Sequence, residues 1–202
     1  MERTALSTYP IAVFSSGNSR GSNLAAMHKF FMETSFSVKI AIAVFTNQEC
    51  SALQLAKQLG IPTAVIPAKD MHIFETEAIS LCKELDIRLI ALAGFLKQLS
   101  AQFLSSVNIP VLNIHPALLP KYGGKGMYGM AVHNAVFYAG ERVSGATVHL
   151  VDPVYDNGKI IAQSMVDISA CKTAEEIANL VLTAEHELYG HSIYNYLHYK
   201  EH

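Results

Sequence analysis

Short apolar runs alternate with amphipathic stretches along the first half of the chain. PIAVFSS (residues 10–16) is a continuous apolar run that stops at a glycine-rich turn, and it reads as a buried strand. Residues 22–34 then carry Leu24, Met27, Phe30 and Phe31 at helical spacing. VKIAIAVFT is a second strand. Ser51 is placed to cap a helix whose apolar face is Leu53, Leu55, Ala56 and Leu59, and Gly60 ends it. TAVIP is a short third strand. Ile73, Phe74, Glu77, Leu81 and Leu85 belong to the next helix, RLIALAG to a fourth strand and PVLNI to a fifth. Strands that alternate with helices, and that are apolar without period-two alternation, predict an α/β domain with a sheet buried on both faces. The expected architecture is a twisted, mainly parallel sheet of about seven strands with helices on both faces.

The pattern changes in the second half. After a helix near 129–139, VSGATVHLV and GKIIAQSMVDI flank the turn DPVYDNG, which suggests an antiparallel pair added to the parallel sheet. A last helix over about 173–198 has Ile177, Leu180, Val181, Ala184 and Leu188 on one face. Ligands of open α/β sheets collect outside the carboxyl ends of the parallel strands. Three polar turns follow strands here, SSGNSRGSN, AGFLKQLS and NIHPALLPKYGG, so the site is expected where they meet.

Composition narrows the classes. With 202 residues, half of them apolar and 16% charged, one domain with a sizeable core is expected. A net charge of −2 with both signs interspersed gives no footprint for nucleic acid or a membrane surface. Cys50, Cys82 and Cys171 have no paired spacing, which fits a reducing, cytoplasmic setting. No run is long enough for a signal peptide or a membrane span. The helical and terminal histidines, His28, His72, His133, His186, His191, His198 and His202, lack metal-ligand spacing and are expected mostly at the surface or an interface; no metal is expected. Tyr189, Tyr194, Tyr196 and Tyr199 read as packing.

In SGNSRGSNL, Gly17, Asn18, Gly21 and Ser22 lie between a strand and a helix. Such a turn brings free amides to an anion, with Arg20 as an added charge, or it is an ordinary connection. Neither the dinucleotide nor the nucleoside-triphosphate fingerprint is present, which counts against a nicotinamide dehydrogenase. In LNIHPALLPKYGG, Asn113 and His115 share one face of the strand, and Pro116 favours an extended conformation at His115. Two donors converging there would suit a developing oxyanion; equally, both could be satisfied by neighbouring backbone. In HLVDPVYDNGKI, Asp152 and Asp156 could orient an imidazole or a water, or simply build the turn.

These segments, taken in order, resemble the folate-dependent formyltransferases, in the branch that acts on glycinamide ribonucleotide. LNIHPALLPKY resembles the family's core motif, SGNSRGSNL its phosphate loop, LAGFLKQLS its folate-side loop, SGATVHLVDPVYDNGKII its catalytic aspartate segment and TAEHELY its substrate-contacting helix. The likeness covers roughly residues 9–197. It implies a Rossmann-like formyltransferase domain over 1–202, with a phosphate-binding half at about 9–100 and a catalytic and folate half at about 101–200. It implies transfer of a formyl group from 10-formyltetrahydrofolate, as co-substrate without a metal, to the amine of the ribonucleotide, in a monomer or homodimer.

By the same resemblance, Asn113 and His115 stabilise the tetrahedral intermediate, and Asp156 positions and tunes His115. Gly21, Ser22 and Asn23 cradle the phosphate, with Arg20 beside them, and Glu185 contacts the same substrate. Leu96, Lys97, Gln98 and Leu99 line one folate wall, and residues around Val151, Asp152 and Asp156 the other, with Asn113 between. An unperturbed imidazole titrates near ~6.5, so the carboxylate is expected to keep a useful fraction of His115 protonated at neutral pH.

The chain departs from the family pattern in three places. The phosphate loop is longer by Ser19-Arg20, Met71 stands where a basic residue is usual, and GGKGMYG replaces a histidine-bearing stretch. A sugar-nucleotide formyltransferase or a formyltetrahydrofolate hydrolase shares the same catalytic residues. Both usually carry further structure, as does a methionyl-tRNA formyltransferase with its tRNA-binding domain. A folate- or nucleotide-binding module without catalysis would not need Asn113, His115 and Asp156 together.

Overall fold

The computed structural model describes residues 8–16, 20–33 and 37–199. Gly17, Asn18 and Ser19 of the first turn, and His202, lie outside the described residues. The chain runs β1 (Tyr9–Ser15), α1 (Ser22–Glu33), β2 (Val38–Phe45), α2 (Ser51–Gln58), β3 (Thr63–Val65), α3 (Met71–Glu84), β4 (Leu89–Leu92), α4 (Ala101–Val107), β5 (Val111–His115), α5 (Met130–Tyr138), β6 (Val143–Leu150), β7 (Ile160–Asp167) and α6 (Ala174–Tyr199). Seven strands form one sheet in the order β3-β2-β1-β4-β5-β6-β7. β1 to β5 are parallel, whereas β6 is antiparallel to both β5 and β7.

Alternate residues of the central strands feed two separate cores. Ile11 and Val13 pack with α1, α2 and α6 on one face, while Ala12 and Phe14 pack with α3 and α4 on the other. Both sets are fully buried, which is why no period-two pattern is visible in β1. β2 changes parity midway. The register slips between Ile11 and Ala12, so Val38 and Ile40 join the first core but Ile42 joins the second.

Several local expectations are corrected. Cys50, not Ser51, caps α2, its Sγ accepting from Leu53 N at 3.3 Å. Ile73, Phe74, Glu77 and Leu81 belong to α3 as expected and Leu85 caps its end, but the inner face is Phe74, Glu75, Ala78 and Cys82, and Ile73 is exposed. Glu77 is exposed likewise, and so is Leu180 of α6. α4 is too short for its periodicity to stand out in the sequence. Among the described residues, no helix is long and apolar enough to cross a membrane.

Strand order places β1 beside both β2 and β4, and the connections leave β1 in opposite directions from that point. The turns after β1 and β4 are stitched together there. Ser16 N donates to Gly94 O at 3.0 Å, and Leu96 N donates to Ser16 Oγ at 2.9 Å. Deeper in, the fully buried Tyr189 of α6 sends its hydroxyl to Leu92 O (3.0 Å) and Leu112 O (2.9 Å). One side chain therefore anchors the last helix to the end of β4 and the start of β5. Tyr189→Phe keeps the ring packing and removes this donor. We expect unfolding free energy, measured by urea titration, to fall by about 1–2 kcal/mol; an unchanged midpoint would show that the anchor is redundant.

Candidate active site

β5 delivers Asn113 and His115 to the strand ends two residues apart, on one face. Antiparallel pairing sets Asn113 opposite His149 and His115 opposite Thr147. Four polar side chains thus share the face turned away from α6, whose core takes Leu112, Ile114, Ala146 and Val148 instead. A cavity of about 530 Å³ opens over this face. Asn113, His115, His149 and Asp156 line it, with Leu96, Lys97, Gln98, Leu99, Val151 and Asp152 on its walls and Asn23 and Glu185 also in its lining.

His149 was not singled out from the sequence, yet it fixes the chemistry of Asn113. Its Nδ1–H donates to Leu150 O at 2.9 Å, which leaves Nε2 as an acceptor. Asn113 Nδ2 donates to that Nε2 at 3.1 Å, so the carboxamide is held with its amino group inward. The second amino hydrogen remains for a ligand. The available signal was the alternation of Thr147 and His149 in VSGATVHLV, but its meaning depends on the β5–β6 register.

His115 is buried, only 3% exposed. Its Nε2 donates to Tyr122 O at 2.8 Å, and Nδ1 lies 3.6 Å from Asp156 Oδ2. The expected protonated fraction is reversed here. Burial lowers the imidazole's pKa below its ordinary value, and it outweighs Asp156 and the Tyr122 carbonyl, which both raise it. His115 is therefore chiefly neutral at neutral pH. Asp156 is itself partly buried, which alone would raise its pKa. His149, the neighbouring His115 and the Gly124 amide together pull it below the usual value, and the carboxylate stays ionised. Gly124 N donates to Asp156 Oδ2 at 2.8 Å, and Asp156 occupies the left-handed region at φ 55°. Asp152, by contrast, spends both oxygens within its own turn, on Val154 N (2.8 Å) and Asn157 Nδ2 (3.2 Å).

At the start of α1, Asn23 Nδ2 donates to Glu185 Oε2 at 2.6 Å. Burial pushes the Glu185 carboxyl up to about 7, only partly offset by this bond. Asn23 Oδ1 is buried without a partner. Gly21 stands just before α1 at φ 80°, packed on Ala52, a conformation and closeness that favour glycine. Gly21 O accepts from Ala25 N at 2.9 Å, so the first turn of α1 starts at Ser22. Arg20 is exposed and, with Gly21 and Ser22, stands outside the cavity lining. Met71 packs against the second core, while Lys69 and His72 are exposed.

Another histidine corrects the surface reading. His133 of α5 is 6% exposed and lines the cavity. Its Nδ1 has no partner, and burial together with His115 lowers its pKa. Among the described residues, no group of three His, Cys, Asp or Glu side chains is arranged to hold a metal ion.

The formyl transferase family model matches residues 10–193. The chain is 40% identical over 186 residues to the chloroplastic phosphoribosylglycinamide formyltransferase of Vigna unguiculata, covering 89% of this chain and 58% of that one. It thus spans well under two thirds of that plant relative's length. It is 33% identical over 181 residues to the phosphoribosylglycinamide formyltransferase of Bacillus subtilis (strain 168), covering 88% of this chain and 89% of that one. The crystal structure of phosphoribosylglycinamide formyltransferase from Brucella melitensis superposes with a TM-score of 0.85 at 32% identity, over 95% of this chain and 96% of that one. With the matched model spanning nearly all of the described sheet and helices, the chain belongs to the formyl transferase family.

Proposed function

We propose that the chain acts as a phosphoribosylglycinamide formyltransferase, moving the formyl group of 10-formyltetrahydrofolate to the amine of glycinamide ribonucleotide in purine synthesis. One observation carries the reading: Asn113, His115, His149 and Asp156 converge on a cavity that also contains the Asn23–Glu185 pair. Group transfer between two substrates needs both binding regions open to one reacting centre. The kinship with phosphoribosylglycinamide formyltransferases supports the same acceptor.

In this reading Gly21, Ser22 and Asn23 offer the α1 amides to the phosphate, and Arg20 supplies the charge that Met71 cannot. Glu185 and the unpartnered Asn23 carbonyl take hydrogen bonds from the ribonucleotide. Leu96, Lys97, Gln98 and Leu99 face Val151, Asp152 and Asp156 across the folate. The amine attacks the formyl carbon, and the free Asn113 N–H meets the charge that builds on the formyl oxygen. Neutral His115 takes the proton from the attacking amine. The imidazolium so formed is stabilised by ionised Asp156 and hands the proton to the departing folate nitrogen. One formyltransferase domain accounts for the chain, with its acceptor half at about 9–100 and its catalytic and folate half at about 101–200. The free thiols Cys50, Cys82 and Cys171 fit work in a reducing cytoplasm.

The direct test is release of tetrahydrofolate from the formyl donor with glycinamide ribonucleotide present and then omitted. Release that requires the ribonucleotide is expected; release without it would make the protein a hydrolase. Asn113→Ala should lower kcat by about 10²–10³-fold, the usual cost of an oxyanion donor, and a wild-type kcat would remove Asn113 from the mechanism. Arg20→Ala should raise the KM for the ribonucleotide and leave the KM for the donor alone; equal KM values for wild type and variant would exclude the charge replacement.

Glu185 gives a pH-dependent prediction of stability. Its folded pKa of about 7 lies above the ordinary 4.5, so the neutral form is the one the fold favours. Its contribution is complete below 4.5 and is lost as pH rises through about 7. Glu185→Gln should therefore raise Tm relative to wild type at pH 8.5 and bring no gain at pH 5, read by thermal melts in both buffers. A gain that is equal at the two pH values would refute the burial of a titrating carboxyl.

A further inference from the structure

Glu75 is a charged residue that the proposed mechanism leaves unused. It sits on the inner face of α3 and is 9% exposed. Both carboxylate oxygens are committed to one residue: Oε1 accepts from Ser100 N at 2.7 Å and Oε2 from Ser100 Oγ at 2.6 Å. Ser100 in turn accepts from Phe103 N at 3.0 Å and caps α4. The hydroxyl proton therefore has Glu75 as its acceptor while the oxygen serves the helix, and neither role can be dropped without leaving a polar group unpaired.

The place of this clamp gives it a consequence. Ser100 ends the loop of residues 94–100, and that loop supplies Leu96 to Leu99 to the cavity. The loop is fixed elsewhere only by Ser16 Oγ, which accepts from Leu96 N at 2.9 Å, and by Gln98 Nε2, which donates to Pro153 O at 2.6 Å, among the side-chain hydrogen bonds of the described residues. The Gln98 bond is exposed, so beside the apolar packing of Phe95 and Leu99 in the second core, the buried polar anchors are Ser16 at the start and Glu75 at the end.

We propose that Glu75 is a positioning residue for the donor side of the cavity: through Ser100 it holds the loop of residues 94–100 in its folate-ready shape without touching either substrate. The inference rests on the assignment of that wall to folate. An ordered loop forfeits little conformational entropy on binding, whereas a loosened one must be ordered by the ligand. Loss of the clamp should therefore fall on donor affinity. Among the described residues, the Asn23–Glu185 pair on α1 and α6 shares no hydrogen bond with Glu75 or Ser100.

The experiment uses tetrahydrofolate binding by calorimetry together with steady-state kinetics on the full chain, for wild type, Glu75→Ala, Glu75→Asp and Glu75→Gln, with a Tm for each. Glu75→Ala and Glu75→Asp should each weaken tetrahydrofolate binding about tenfold, since aspartate keeps the carboxyl group but is one methylene too short to reach Ser100. The donor KM should rise in proportion, while the ribonucleotide KM and the kcat at saturating donor stay within about twofold. Glu75→Gln keeps the length and one acceptor oxygen for Ser100 N but leaves the Ser100 hydroxyl proton unpaired, so it should recover part of the donor affinity and bind better than Glu75→Asp. Should Glu75→Ala fail to fold, the aspartate and glutamine variants make the same comparison. Unchanged donor affinity in Glu75→Asp, or a parallel fall in every kinetic parameter that tracks Tm, would overturn the positioning role. Failure of the wild type to bind tetrahydrofolate would overturn the folate assignment itself, and this inference with it.

Discussion

The antiparallel register between β5 and β6 decides what the site can be. Had β6 slipped by one residue, Val148 would face Asn113 and His149 would enter the core beneath α6. The carboxamide would then lack the acceptor that turns its amino group inward. The register is secured from the opposite face, where Leu112, Ile114, Ala146 and Val148 are buried in the core shared with α6. Hydrophobic burial on one side of the sheet thus sets hydrogen-bond geometry on the other.

Electrostatics follow from the same enclosure. His115 and Glu185 both favour their neutral forms because burial penalises charge, and Asp156 alone is held ionised by its neighbours. A neutral buried imidazole beside an ionised carboxylate is poised to take up a proton. Fixed dipoles such as the Asn113 amide act strongly where water is scarce and need no reorganisation. The cost is local strain, visible in the left-handed backbone of Asp156 that brings its carboxylate between two imidazoles.

The α/β alternation, the antiparallel pair and the strand-end turns were legible because each rests on local pattern. Asn113 and His115 were legible as a pair because two residues apart in a strand means one face. His149, Glu75 and His133 were not, because their roles depend on partners 36, 25 and more residues away, or on burial by segments distant in sequence. The charge state of His115 went the other way for a related reason: its partner Asp156 was visible in the sequence, but the depth of burial that outweighs it was not. The parity change in β2 and the Cys50 cap also lie below the resolution of a hydropathy pattern.

The edge strand β7 has a task beyond extending the sheet. Thr147 Oγ1 donates to Ala117 O at 2.6 Å and accepts from Leu119 N at 3.0 Å and from Gln163 Nε2 at 2.9 Å, which uses its full hydrogen-bonding capacity. Gln163, from β7, also donates to Leu119 O at 3.0 Å. These bonds fasten the chain as it leaves β5, and three residues later Tyr122 O returns to His115 Nε2. Two residues beyond that, Gly124 N reaches Asp156. The position of the His115 imidazole and the Asp156 carboxylate is therefore set by bonds from β6 and β7 to the chain that leaves β5. A sheet of five parallel strands would have placed Asn113 and His115 at the same edge with nothing to close the exit over them.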